Sequence, residues 1–134
     1  MTRARVLVLE DDPDWVHELT SYLEDDYEVQ AACSLAQARE LLEEKSFHMV
    51  TVDISLGLGG PMDEGGFRLI ESIRSTSILR EMSIIVITAY STPERIRRAF
   101  RDYKVYDIID KMTLDPLQFK QVVAEAIVGN ANIE

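Results

Sequence analysis

The chain has 134 residues, 46% of them apolar and 28% charged, with a formal net charge of -10. That length suits one domain able to bury a real core. The charge argues against binding nucleic acid or an anionic membrane surface, which would both repel it, and favours cations or partners with a basic patch. One cysteine, Cys33, excludes an internal disulfide and fits a reducing cytoplasm. No apolar run has the length of a membrane span, and the stretch before Glu10 is too short for a signal peptide.

Val6-Leu7-Val8-Leu9 is an apolar run that stops at Glu10-Asp11-Asp12. Pro13 then suits the first turn of a helix, with Asp12 as its cap. Trp15, Leu19, Tyr22 and Leu23 follow at helical spacing, so helix one covers about 13–25. Tyr27 to Ala32 reads as strand two. Ser34 with Gln37 is a capping-box signal, and Leu35, Ala38, Leu41 and Leu42 continue it as helix two.

Met49-Val50-Thr51-Val52-Asp53 is the third strand, an apolar run tipped by one carboxylate and followed by the glycine-rich segment Gly57-Leu58-Gly59-Gly60. Phe67, Ile70 and Ile73 mark helix three. Ile84-Ile85-Val86-Ile87-Thr88 is strand four. Thr92-Pro93-Glu94 opens helix four, with Ile96, Ala99, Phe100 and Tyr103 on its expected apolar side. Val105 to Asp110 is strand five. Asp115-Pro116 opens helix five, whose inward residues are Phe119, Val122, Val123, Ala126 and Ile127. The core covers about 4–128, and residues 129–134 read as a tail or the start of a linker.

Five βα units with near-continuous apolar strands predict an α/β fold, a doubly wound five-stranded parallel sheet with helices on both faces. The order 2-1-3-4-5 places the switch point between strands one and three. The C-terminal strand tips then bring together Glu10, Asp11, Asp53, Thr88, Ala89 and Lys111. Three close carboxylates repel, and one of them takes a raised pKa unless a cation sits among them. Oxygen-only ligands suit Mg2+, with Mn2+ as the alternative. These parts fit phosphoryl transfer to Asp53, with the metal and Lys111 neutralising the transferring oxygens.

At these residues the chain resembles the receiver domain of two-component response regulators. The likeness rests on Val6 to Pro13, Val50 to Ile54, Ile85 to Ala89 and Asp110-Lys111, and it covers essentially the whole chain. It implies that Asp53 is the phosphoacceptor and that the donor is a histidine kinase or a His-containing phosphotransfer protein. It implies that Glu10 and Asp11 are the acidic pair, that Asp11 is the direct metal ligand, and that Ser55 gives a backbone carbonyl to the metal. Thr88 and Lys111 match the switch hydroxyl and the phosphate-binding lysine, with Ala89 beside Thr88. The implied output surface is the helix four–strand five–helix five face, which also serves homodimers, and the implied output partner is a protein or domain of unknown identity.

Three positions depart from the family. The loop from Asp53 to Gly66 is about five residues longer than usual, with Gly57 where proline is common; it reads either as a passive surface loop or as a lid that tunes kinase access or phosphoryl lifetime. Met112 stands where a cis proline is usual, and since a cis bond before methionine costs about 3–4 kcal/mol, a trans bond is expected. Ile108 occupies the place of an aromatic switch residue.

Other features carry plainer readings. Glu10-Asp11-Asp12 alone would suit any helix N-terminus. Arg95, Arg97, Arg98 and Arg101 form either a solvated face with a Glu94–Arg98 pair or a docking surface. His17 and His48 read as surface histidines, and Cys33 as a small buried residue. The rival functions are a receiver-like module that signals by contact without phosphorylation, a phosphatase with an aspartate nucleophile, and a flavodoxin-like electron carrier.

Overall fold

A computed structural model describes residues 3–56 and 62–133. The elements run β1 (Arg5–Leu9), α1 (Pro13–Leu23), β2 (Glu28–Ala32), α2 (Leu35–Glu44), β3 (Met49–Val52), α3 (Gly65–Ser75), β4 (Ser83–Thr88), α4 (Pro93–Tyr103), β5 (Asp107–Asp110), a 3-10 turn at Lys111–Thr113, and α5 (Pro116–Ile133). The strands form one parallel sheet in the order β2-β1-β3-β4-β5. This is the expected doubly wound α/β architecture.

Alternation along the strands sorts the core into two layers, because successive side chains leave opposite faces of a sheet. Val6, Val8, Met49, Ile85 and Ile87 meet Leu19 and Leu23 of α1 and Phe119, Val123 and Ala126 of α5. Leu7, Leu9, Val50, Val52, Ile84 and Val86 meet α2, α3 and Ala99 of α4. Burial on both faces explains why β1, β3 and β4 read as unbroken apolar runs.

The helix starts follow the predicted caps. Asp12 accepts from Asp14 N, Ser34 from Gln37 N and Thr92 from Arg95 N. Gln37 Oε1 returns to the Cys33 N–H at 2.9 Å. Cys33 itself is exposed, against expectation; its Sγ faces the same Gln37 oxygen at 3.2 Å rather than the core.

Three further expectations are corrected. Ile96 and Phe100 of α4 are 37% and 40% exposed, while Arg95 is buried to 7%. The helix turns Arg95, Arg98 and Ala99 inward because Glu64 pairs with both arginines. Arg98 therefore pairs with Glu64 and not with Glu94. Strand five begins at Asp107, since α4 ends at Lys104 in the left-handed region (φ 54) and Val105 N returns to Ala99 O. Helix α5 continues past Gly129 to Ile133, where the sequence suggested a tail. Gly57 and the middle of the long loop lie outside the described residues. The Lys111–Met112 bond is trans, as expected.

The glycine pair Gly65-Gly66 seats α3 against the tip of β3. A Cβ on Gly66 would lie 2.1 Å from Asp53 O and 2.7 Å from Ile54 Cα, and its N–H donates to Ile54 O at 2.8 Å. Glycine is required here by close approach of two backbones. Gly66→Ala is expected to cost at least about 2 kcal/mol, as overpacking of a rigid site does, and to shift the Asp53 amide resonance. A urea midpoint and Asp53 resonance equal to those of wild type would contradict this.

Candidate functional site

Sheet register decides which residues meet. Leu9 pairs with Val52, so Glu10 and Asp53 emerge level from neighbouring strands. Val52 pairs with Val86, and Thr88 with Asp110, so Thr88 and Lys111 rise just beyond them on the other side. The strand tips thus gather four chemically active side chains that are far apart in sequence.

Asp53 is 5% exposed and both of its carboxylate oxygens are held. Oδ1 accepts from the Ser55 N–H at 3.0 Å, and Oδ2 from Lys111 Nζ at 2.8 Å. Ser55 is itself buried. Lys111 Nζ also lies 2.6 Å from Glu10 Oε1, at an angle that leaves this oxygen without a proper hydrogen bond. Glu10 Oε2 accepts from Asp12 N at 3.1 Å, which ties the acidic turn to the site. Asp11 is exposed at the mouth, and one oxygen from each of Glu10, Asp11 and Asp53 falls within a 4.8 Å cluster. The ring of Trp15, the only tryptophan of the chain, lies 5.2 Å from Lys111 Nζ.

The electrostatics follow from burial. Desolvation is the main force pushing the Glu10 carboxyl up to about 7; the charge of Asp53 adds to it, while the close Lys111 ammonium and the hydrogen bond from Asp12 N oppose it. Mutual repulsion predicts the raised carboxyl, but burial is the larger cause. Burial alone would lower the Lys111 ammonium pKa; its hydrogen bond to Asp53 and its ion pair with Glu10 outweigh burial and raise it. One ammonium therefore serves two buried acids, and a poorly satisfied Glu10 oxygen faces the same space as Asp11 and Asp53. Such an all-oxygen set fits a hard divalent cation.

Thr88 is fully buried, and Ala89 after it is exposed. Thr88 Oγ1 accepts from the Tyr90 N–H at 3.2 Å. Ile108 is half-buried in β5, packed on the α3 side of the core. Outside the cluster lie His17 and His48, both exposed; His48 Nδ1 accepts from Arg5 N. Nothing in the sequence pattern signals the Arg95 link to Glu64 and the Tyr90 carbonyl, because periodicity does not reveal a buried arginine whose charge partner lies 31 residues away.

The family model for the response regulator receiver domain matches residues 6–124. The chain belongs to that family. A sensor protein from Polaromonas sp. JS666 is similar in structure at a TM-score of 0.83 and 27% identity, over 96% of this chain and 98% of that one. A CheY-like response regulator receiver domain protein from Methanospirillum hungatei JF-1 is similar at a TM-score of 0.86 and 21% identity, over 99% of this chain and 100% of that one. The signal receiver domain of a signal transduction histidine kinase from Syntrophus aciditrophicus is similar at 0.77 and 22% identity, over 94% and 91% of the two chains. No curated protein sequence matches. Membership in this family makes the chain a signalling domain of two-component systems, and among the described residues no helix is long and apolar enough to cross a membrane.

The raised Glu10 pKa predicts a pH signature in the metal-free protein. Its folded value of about 7 lies above the ordinary 4.5, so the folded state binds the extra proton between those values. The stability this contributes is complete below pH 4.5 and is lost as pH rises through about 7. Relative to Glu10→Gln, wild type is expected to lose up to roughly 3 kcal/mol across that window, measured by urea unfolding with chelator present. A wild-type-minus-variant difference that stays flat with pH would refute the assignment.

Proposed function

We propose that this receiver domain is a phosphorylation-dependent switch with Asp53 as its phosphoacceptor. The observation that carries the reading is the Asp53 carboxylate, buried, fixed at both oxygens, and set beside two more acids and Lys111. An Asp53 oxygen attacks phosphorus while the bond to the donor's leaving oxygen or imidazole nitrogen breaks, giving an aspartyl phosphate. Glu10, Asp11, Asp53 and the Ser55 backbone carbonyl are the groups that would hold Mg2+ or Mn2+. Such a cation supplies charge neutralisation to the transferring oxygens. Lys111 orients Asp53 beforehand and then neutralises the phosphoryl oxygens. Thr88 and the Ala89 N–H donate to them. The domain performs little chemistry beyond this positioning, and the donor is a histidine kinase or a His-containing phosphotransfer protein.

The aspartate-phosphatase alternative is weaker because a second acid is wanted two residues after the nucleophile. Ser55 stands there, with its N–H already committed to Asp53. A phosphorylation-independent module would have no evident use for a complete acidic cluster under a shared lysine.

The output surface proposed is the α4–β5–α5 face. Ile96, Phe100 and Tyr106 are exposed there at 37%, 40% and 43%, and Arg97 and Arg101 of α4 are exposed as well. This surface fits an acidic output protein or a second copy of the domain.

Incubation with Mg2+ and a small acyl phosphate is expected to add one phosphoryl group to wild type and none to Asp53→Asn, read by intact mass. Equal labelling of the two proteins, or none of wild type, would sink the reading. Charge reversal at Arg97 and Arg101, both exposed, is expected to weaken output binding or dimerisation of the phosphorylated domain by about tenfold or more, with labelling of Asp53 unchanged; undiminished association in titration and sedimentation would remove α4 from the output surface.

A further inference from the structure

A continuous polar chain joins the proposed phosphoryl site to α4. Thr88 Oγ1 accepts from Tyr90 N at 3.2 Å, and the Tyr90 carbonyl accepts from Arg95 Nη1 at 2.7 Å. Arg95 Nε donates to Glu64 Oε2 at 3.1 Å, and the other Glu64 oxygen accepts from Arg98 Nη1 at 3.2 Å. The Arg98 guanidinium lies 4.2 Å from the Phe67 ring centroid, over α3. Arg95 is 7% exposed, whereas the Glu64 side chain is 45% exposed.

We propose that Arg95, held by Glu64, is a positioning residue of the phosphoryl site: it fixes the Tyr90 carbonyl and thereby the resting arrangement of Thr88. This rests on the phosphorylation reading above. If Thr88 Oγ1 swings about its side-chain torsion to donate to a phosphoryl oxygen, it gives up the Tyr90 N–H or draws the Tyr90 peptide with it. The opposite side of that residue is gripped by a charge-assisted bond from a buried guanidinium. The grip therefore favours the resting arrangement over the phosphorylated one. An interaction stronger in one of two states biases the equilibrium by its differential strength, and its removal raises the population of the other. The Ile108 side chain has no polar atom with which to hold the same loop from β5, so the polar side-chain restraint comes from α4 and Glu64. The same arginine sits in the helix that bears Ile96 and Phe100, so release at Tyr90 reaches the exposed face within one turn.

The test uses wild type, Glu64→Ala and Arg95→Lys. Glu64 is exposed enough for its alanine variant to fold, and Arg95→Lys keeps the charge while losing the fork. Beryllofluoride with excess Mg2+ serves as the phosphoryl mimic, read through Trp15 fluorescence. Glu64→Ala is expected to bind it about three- to tenfold more tightly, with faster hydrogen exchange at the Tyr90 amide. Mg2+ affinity should stay within about twofold, since the acidic cluster is separate from Glu64. Arg95→Lys should move both readouts in the same direction. A residue that merely fastened α4 to α3 would lower stability without tightening the mimic. Unchanged or weaker beryllofluoride binding in Glu64→Ala, with wild type labelled normally on Asp53, overturns this proposal alone. Wild type that takes neither beryllofluoride nor a phosphoryl group overturns it together with the phosphorylation reading.

Discussion

Everything at the carboxyl edge of the sheet depends on one ammonium shared by two buried acids. Lys111 Nζ stands 2.6 Å from Glu10 and 2.8 Å from Asp53, with all three side chains nearly sealed from water. Burying such charges is costly unless each is paired. Here the cations and acids do not balance: three carboxylates share one ammonium, and Glu10, desolvated by burial and set beside the charge of Asp53, has its pKa pushed up to about 7. The arrangement is stable as a fold and unfinished as an electrostatic site. A divalent cation or a bound proton completes it, which is why the same cluster can serve folding and chemistry.

That cluster exists because of register. The three residues come from β1, β3 and the turn after β5, elements separated by dozens of residues and joined only through the parallel ladder. A slip of one residue between β1 and β3 would turn Glu10 away from Asp53 and move the core positions of β1 to the wrong face. Val6 and Val8 fill one layer of the core and Leu7 and Leu9 the other, in a register where Leu9 pairs with Val52. Gly66 completes the placement, letting α3 close against the Asp53 carbonyl. Core packing and site geometry are thus one constraint here.

The strands, the caps and the strand-tip residues were legible in the sequence because each obeys a local rule: doubly buried runs, a side-chain oxygen before a helix, a charged residue where an apolar run ends. In helix α4, Ala99 and Tyr103 face inward as their spacing predicts, but Ile96 and Phe100 do not. Arg95 instead enters the interior, its charge met by Glu64 from another element, and periodicity carries no record of a partner 31 residues away. Cys33 was misplaced for a related reason. Its neighbour Gln37 recruits it to a helix cap, a local polar use that outweighs burial of a small side chain. The raised pKa of Glu10 was anticipated, but its main cause, desolvation, becomes visible only when the packing around the carboxyl is known.

One departure from the family, Ile108, bears on the loop after β4. With isoleucine at position 108, the β5 side chain there has no polar group to offer that loop. On the other side, Arg95 and Glu64 supply a charged one. A ring that rotates between two wells communicates by filling or vacating space, whereas an ion pair at a partly exposed carboxylate communicates by charge and is sensitive to salt. The Glu64 side chain is open to water, so the restraint on Tyr90 is strong enough to order the loop yet weakened by nearby ions. A partner that brings charge to Glu64 or Arg98 would therefore act on Thr88 without touching the proposed phosphoryl site. In this receiver domain the route between site and surface is electrostatic, running through the first turn of α4.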